Sequence, residues 1–321
     1  MSKQSARTWS YPRHKNFEKN VRKAAAAWFL DKGYPTNPRY PYILARWEDW
    51  PKNILLPEVS KYIQVVSEYQ RKDGNNFPLH KYIHHGLSSQ AMLFNLIGPL
   101  IVKNDFSPLK NILEKHDLEW PGGESRVIFE YEDRKIFNEL QAQPTSIDLV
   151  IDSENKTPGL YIEAKFTEHE FGGCSLFQSG DCDGRNPSAD LDLCYLHHIG
   201  RKYWLLMHKY GLHQGSIGSD SSCVLTNHYQ FFRELMFALE NNGIFVLLSD
   251  DRNSVFQCSG PQGERGLMPF LTDLLPIEIR KRIARISIQD LIMEIHASNR
   301  HSWSVEFMKK YGIPVHKDRI K

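Results

Sequence analysis

The chain has 321 residues, 41% of them hydrophobic and 24% charged, with a net charge of +2. That is long enough for one large domain or two modest ones, and too apolar for a disordered chain. No run of 18 apolar residues occurs and the N-terminal stretch "MSKQSARTWSYPRHKNFEKN" is polar, so neither a membrane span nor a signal peptide is expected. A soluble, cytoplasmic protein without membrane contact is the expectation. Cys174, Cys182, Cys194, Cys223 and Cys258 form an odd, unevenly spaced set that suits free thiols in a reducing compartment.

In chain order, residues 1–23 carry Lys3, Arg7, Arg13, Lys15, Lys19, Arg22 and Lys23 against one acid, Glu18. Such a basic arm suits phosphate contact, although most charge runs are solvated faces. The next stretch, "YPTNPRYPYILARWEDWPKN", is broken by four prolines, and residues 1–83 read as an N-terminal extension wrapped onto a core. Val59, Tyr62, Ile63, Val66 and Tyr69 recur at helical spacing. "GLSSQAMLFNLIGPLIVKN" predicts a buried helix capped by Ser88 or Ser89, with a kink at Pro99. A short helix over "SPLKNILEKH" and a strand over "SRVIFEYED" follow.

"TSIDLVIDSENKTPGLYIEAKFTE" then holds two apolar runs around a polar turn, which predicts a hairpin. Residues 167–225 are rich in Gly, Ser and Cys and read as an irregular insertion with one helix or strand near "YLHHIGRKYWLLMHKYG". "NHYQFFRELMFALENNG" predicts a helix stopped by Asn242 and Gly243, "GIFVLLSDD" a buried strand, and the tail alternates helix and strand through "RISIQDLIMEI". Further bases cluster at Arg280, Lys281, Arg282 and Arg285 and in residues 300–321.

Centring the turn between Asn155 and Lys156 places Asp148 opposite Glu163. Opposed residues project to one face with Cβ atoms about 5 Å apart, and the period of two adds Lys165 to that face. The other face collects Ile147, Leu149, Ile151, Leu160, Ile162 and Ala164, a dry surface for helices. Two carboxylates so placed repel unless a cation lies between them. Lys165 supplies part of that compensation, and a divalent ion with oxygen ligands, Mg²⁺ or alternatively Mn²⁺, supplies more. The arrangement is a phosphodiesterase site in outline. An ordinary salt bridge on a hairpin edge is the plainer reading, but charges set among large apolar residues are costly without a purpose.

An Asp at the end of one strand and Glu-x-Lys on the next, here Asp148 and Glu163-Ala164-Lys165, resembles the signature of the PD-(D/E)XK nuclease superfamily. With the apolar helix before it and the helix "YQFFRELMFA" and strand "IFVLLSDD" after it, residues 84–290 are similar to bacterial restriction-endonuclease-like proteins of unassigned specificity. The resemblance implies an α/β, restriction-endonuclease-like domain over residues 84–321, with a mixed central sheet flanked by helices. It also implies Mg²⁺-dependent cleavage of DNA, with Asp148 and Glu163 as metal ligands, Lys165 positioning or activating water, and Gln230 near the site. There are departures. Gln90 stands on the first core helix where many members carry an acid, leaving Glu130 to fill the metal shell, and Ile147 replaces the proline of the motif, with Pro144 displaced.

Rival readings are a non-catalytic nucleic-acid-binding subunit on the same fold and an RNA or branched-structure nuclease. Cutting both strands calls for a homodimer. Elsewhere Cys174, Cys182, Cys194 and His197 offer a zinc knot, though with unusual gaps. The pairs among His84, His85, His197, His198 and His228 raise a His-metal alternative without a supporting context. Glu168, three residues after Lys165, is expected on the opposite face of a continuing strand.

Overall fold

The computed structural model describes residues 12–72, 77–140, 144–154, 157–257 and 265–314. It opens with α1 (Pro12–Asp31), a helix that the basic composition of the arm conceals. His14, Phe17, Val21, Ala25, Trp28 and Phe29 are buried along it, at the spacing of one helix face, while Lys15, Lys19, Arg22 and Lys23 remain exposed. Lys3 and Arg7 of the arm lie outside the described residues, as does Cys258.

Helices α2 (Pro57–Lys72), α3 (Ser89–Lys103) and α4 (Ser107–Lys115) fall where the apolar periodicity predicts. The Ser88 hydroxyl accepts from Ala91 N at 3.2 Å and caps α3, which stays helical through Pro99. Residues 91–100 of α3 are all buried, because α2 covers one side and the sheet another. Gly98 permits that approach, since a Cβ there would lie 2.4 Å from Val59 Cγ1.

Five strands form one mixed sheet in the order β1 (Arg126–Glu132), β2 (Ser146–Asp152), β3 (Leu160–Lys165), β4 (Ile244–Ser249), β5 (Ile283–Ser287). The first three are antiparallel and the last three parallel. A parallel step needs a long crossover. Between β3 and β4 it is made by the short helices α5 (Ser175–Ser179), α6 (Tyr195–His198), α7 (Tyr203–Lys209) and α8 (Gly215–Ser219), then by the long α9 (Leu225–Glu240). The insertion thus holds more helix than the one element expected there. After β4 come α10 (Ser254–Gln257), α11 (Leu267–Asp273) and α12 (Ile277–Arg280), and after β5 α13 (Ile288–Ala297) and α14 (Trp303–Tyr311). This is the α/β, restriction-endonuclease-like architecture that the resemblance implies.

One sheet face packs Leu149, Ile151, Leu160, Ile162 and Ala164 against α3 and α13, and N-terminal Phe17, Trp50, Ile54 and Val59 join the same core. Buried Asn95 ties these parts together: its oxygen accepts from Leu55 N at 2.7 Å, and its amide donates to Asn53 O at 3.0 Å and Tyr311 OH at 2.8 Å. The opposite face packs Val150, Tyr161, Phe245 and Leu247 against Phe231, Leu235, Met236 and Phe237 of α9.

Ile147 corrects the two-face reading. It packs on the α9 side rather than with Leu149, and its partner Tyr131 changes sides with it while Phe129, opposite Leu149, stays in the first core. The switch coincides with Glu130, which sits between Phe129 and Tyr131 at φ +53°, a left-handed conformation rare for a non-glycine strand residue. Strained backbone of this kind re-aims side chains and gathers at functional sites.

Candidate active site

The hairpin register is as the turn predicts: Leu149 pairs with Ile162, Val150 with Tyr161 and Ile151 with Leu160. The paired ladder stops one residue short of Asp148 and Glu163, and Asp148 meets β3 through its side chain. Glu163 and Lys165 are both buried, and Lys165 Nζ lies 2.8 Å from Glu163 Oε1. Gln230, in the first turns of α9, bridges the pair: its oxygen accepts from Lys165 Nζ at 2.8 Å and its amide donates to Glu163 Oε1 at 2.7 Å. The helix is kinked just before it, at His228. Asp148, half-buried, accepts from Ala164 N at 2.9 Å through Oδ2.

Two further carboxyl groups close in. Glu130 accepts from Gln90 Nε2 at 2.7 Å on one oxygen and from Ser146 Oγ at 3.0 Å on the other. Gln90 therefore reaches the site by holding an acid that β1 provides. Glu234 is 1% exposed and its Oε2 has no hydrogen-bond partner. It lies one helical turn beyond Gln230, and an acid within the apolar run "QFFRELMF" is the signal that sequence reasoning passed over.

The electrostatics follow from this crowding. Burial, then the neighbouring Glu163, then Glu130, push the Asp148 pKa well above the carboxylate range. Burial and Glu163 do the same to Glu234. Burial raises Glu130 to about 7, against the hydrogen bonds from Gln90 and Ser146. For Lys165, burial alone disfavours the ammonium, but Glu163, Glu168 and Glu234 together outweigh it and hold the group cationic. Two like charges about 5 Å apart repel by about 3 kcal/mol at an effective dielectric of 20. One lysine cannot keep four neighbouring carboxyl groups ionised, and their oxygens are of the hard donor type that a divalent cation takes, although those of Asp148, Glu163 and Glu130 do not close to within 4.8 Å of one another.

Glu168 departs from expectation. β3 ends at Lys165, so no strand continues to carry Glu168 to the other face. The chain instead folds back, Glu168 Oε2 accepts from Phe166 N at 2.6 Å, and its charge acts on Lys165.

Cys174, Cys182 and Cys194 line one small pocket of the insertion, with Cys223 rather than His197 as the fourth cysteine or histidine there. Among the described residues their ligand atoms do not close to within 4.8 Å as a group of three, nor do those of Asp148, Glu163 and Glu130. His84 and His85 touch each other, with ring centroids 4.4 Å apart, and His228 contacts Phe270. Of the basic residues near β5, Arg280 is bonded to Leu275 O, Lys281 to Glu278, Arg282 to Gly243 O and Arg285 to Asp251. Lys310 is fully buried. No helix among the described residues is long and apolar enough to cross a membrane.

No curated protein and no solved structure matches the chain. A family model described as Restriction Endonuclease associating with ARP matches residues 22–312, from α1 through α14. With that match over most of its length, the chain belongs to the family of restriction endonucleases associating with ARP.

Proposed function

We propose that the chain is a metal-dependent DNA endonuclease of the PD-(D/E)XK type, and that Asp148, Glu163 and Lys165 are its catalytic residues. One observation carries the reading: a buried Glu163–Lys165 ion pair on the strand beside Asp148, crowded by more carboxyl groups than one lysine can keep ionised. A binding module has no use for acids that destabilise its metal-free form. Asp148 and Glu163 would hold Mg²⁺ or Mn²⁺, with Glu130 behind them, and the bound ion supplies an activated water and stabilises charge on phosphate.

Lys165 stays protonated, so it serves as a donor rather than a base. Two of its N–H bonds are committed to Glu163 and Gln230, and the third is left to orient water or meet phosphate. Gln230 holds the two charged groups in register. α1, which carries exposed bases, contacts the loop after β3, where its Glu18 reaches His169, four residues beyond Lys165. Those bases suit phosphate contacts that position DNA without reading its sequence. Cleavage of both strands fits a homodimer, and the family's name adds a partner called ARP.

The test is cleavage of plasmid, linear and single-stranded DNA, and of RNA, by wild type and Lys165→Ala with Mg²⁺. Nicking or cutting of duplex DNA by wild type alone is expected. Binding without cleavage would favour the non-catalytic subunit, and preference for RNA would favour the RNA nuclease.

A further inference from the structure

We propose that His14, Glu18 and His169 form a second metal site, for a borderline divalent ion such as Zn²⁺, which clamps α1 to the loop leaving β3. The site is separate from the acidic one. His14 and Glu18 stand one turn apart on α1, and His169 follows Glu168 on the loop. Their three ligand atoms lie within 4.8 Å of one another, the only such group of His, Cys, Asp or Glu among the described residues.

The hydrogen bonds around His14 decide which of its nitrogens faces the site. Asn253 is fully buried, and its amide nitrogen donates to Phe166 O at 2.9 Å and Glu168 O at 3.0 Å. That fixes its oxygen toward Val255 N at 3.2 Å and His14 Nδ1 at 3.1 Å. Nδ1 must therefore carry the proton, and Nε2 presents a lone pair when the ring is neutral. His14 is 2% exposed, and Nε2 is buried without a hydrogen-bond partner.

What Nε2 faces is an anion: Glu18 Oε1, at 3.4 Å. A lone pair set against a carboxylate is repulsive unless the ring gains a proton or a cation lies between them. The same Oε1 lies 3.1 Å from His169 Nε2. Both separations suit edges of a tetrahedron about Zn²⁺, where metal bonds of about 2.0 Å set ligands about 3.3 Å apart. Two imidazoles and a carboxylate favour zinc over Mg²⁺ and leave a fourth position for water. Asn253 supplies the hydrogen bond that orients a metal-bound histidine, and Arg22 neutralises the other Glu18 oxygen at 2.9 Å.

Because Asn253 also holds the backbone of Phe166 and Glu168, metal at this site would fix the loop that carries Glu168 toward Lys165. The test uses full-length protein stripped with chelator and titrated with Zn²⁺ by calorimetry, with Co²⁺ spectra in parallel. His169→Gln and Glu18→Gln, both at positions not fully buried, should each lose one zinc equivalent while keeping wild-type circular dichroism. Glu163→Gln and the Cys182→Ser/Cys194→Ser pair separate this zinc from metal held by the acidic site or by thiols, and should keep that equivalent. The Co²⁺ bands lost in His169→Gln should lack thiolate charge transfer. Equal zinc stoichiometry and affinity in wild type and His169→Gln would overturn the site and leave a simple His169–Glu18 pair. Neither outcome bears on DNA cleavage.

Discussion

Replacing either of two neighbouring charged residues should move stability in opposite directions when no metal is present. Lys165 is 5% exposed and donates at 2.8 Å to both Glu163 and Gln230. Removing one partner of a buried ion pair costs about 3–5 kcal/mol, because the other charge is left uncompensated. Methionine keeps most of the lysine stem's packing, so Lys165→Met should sit near the lower end, about 3 kcal/mol. Asp148→Asn instead keeps the acceptor for Ala164 N, now 2.9 Å away, and deletes a like charge beside Glu163. The full repulsion at about 5 Å is about 3 kcal/mol. Protonation of Asp148 already relieves part of it, so the variant should gain about 1–2 kcal/mol. Urea unfolding at pH 8 in chelator, followed by tryptophan fluorescence and circular dichroism, reads both midpoints. Equal shifts, or shifts of one sign, would refute the charge balance described here.

Three other outcomes follow from particular contacts. Burial, with His84 and His80 nearby, pushes the His85 pKa from 6.5 down to about 4. The folded chain then binds fewer protons than the unfolded one between those values, so stability present at pH 7 is lost as pH falls through that window. Because His85 is only half-buried, solvent screening keeps the loss below about 3 kcal/mol, and His85→Asn should flatten it in urea midpoints taken at both ends. Gly98→Ala should destabilise by about 1–3 kcal/mol, since its methyl meets Val59, and a lowered melting temperature with unchanged secondary structure would show it. Removing the exposed Lys15, Lys19 and Lys23 should reduce the slope of log K against log salt by about 0.9 per lost phosphate contact. That is a cleaner test than deleting the arm, which would strip Phe17 and Val21 from the core.

The hairpin was legible because its signals are local: a polar turn fixes the register, and the period of two then assigns Asp148, Glu163 and Lys165 to one place. Gln230 was legible only through the family resemblance. What escaped depends on tertiary contact. The apolar stripe of α1 hides among five basic residues, and reading charge before periodicity turned a core helix into an arm. Glu234 faces the site only because α9 crosses the sheet there, although an acid in an apolar run was a warning. Ile147 switches faces beside a left-handed Glu130, and Glu168 turns back because β3 ends at Lys165; neither a φ angle nor a strand end is written in residue type.

The measurement that bears most directly on the central claim is a melting curve with and without Mg²⁺ or Mn²⁺, for wild type and for Glu163→Gln, which keeps the shape and removes the charge. An ion that binds only the folded state at about 100 times its Kd stabilises by about 2.7 kcal/mol. Wild type should gain that stability, and Glu163→Gln should gain little while starting from a folded, metal-free state. Identical responses of the two proteins to both ions would contradict a metal site at Asp148 and Glu163, and with it the nuclease mechanism.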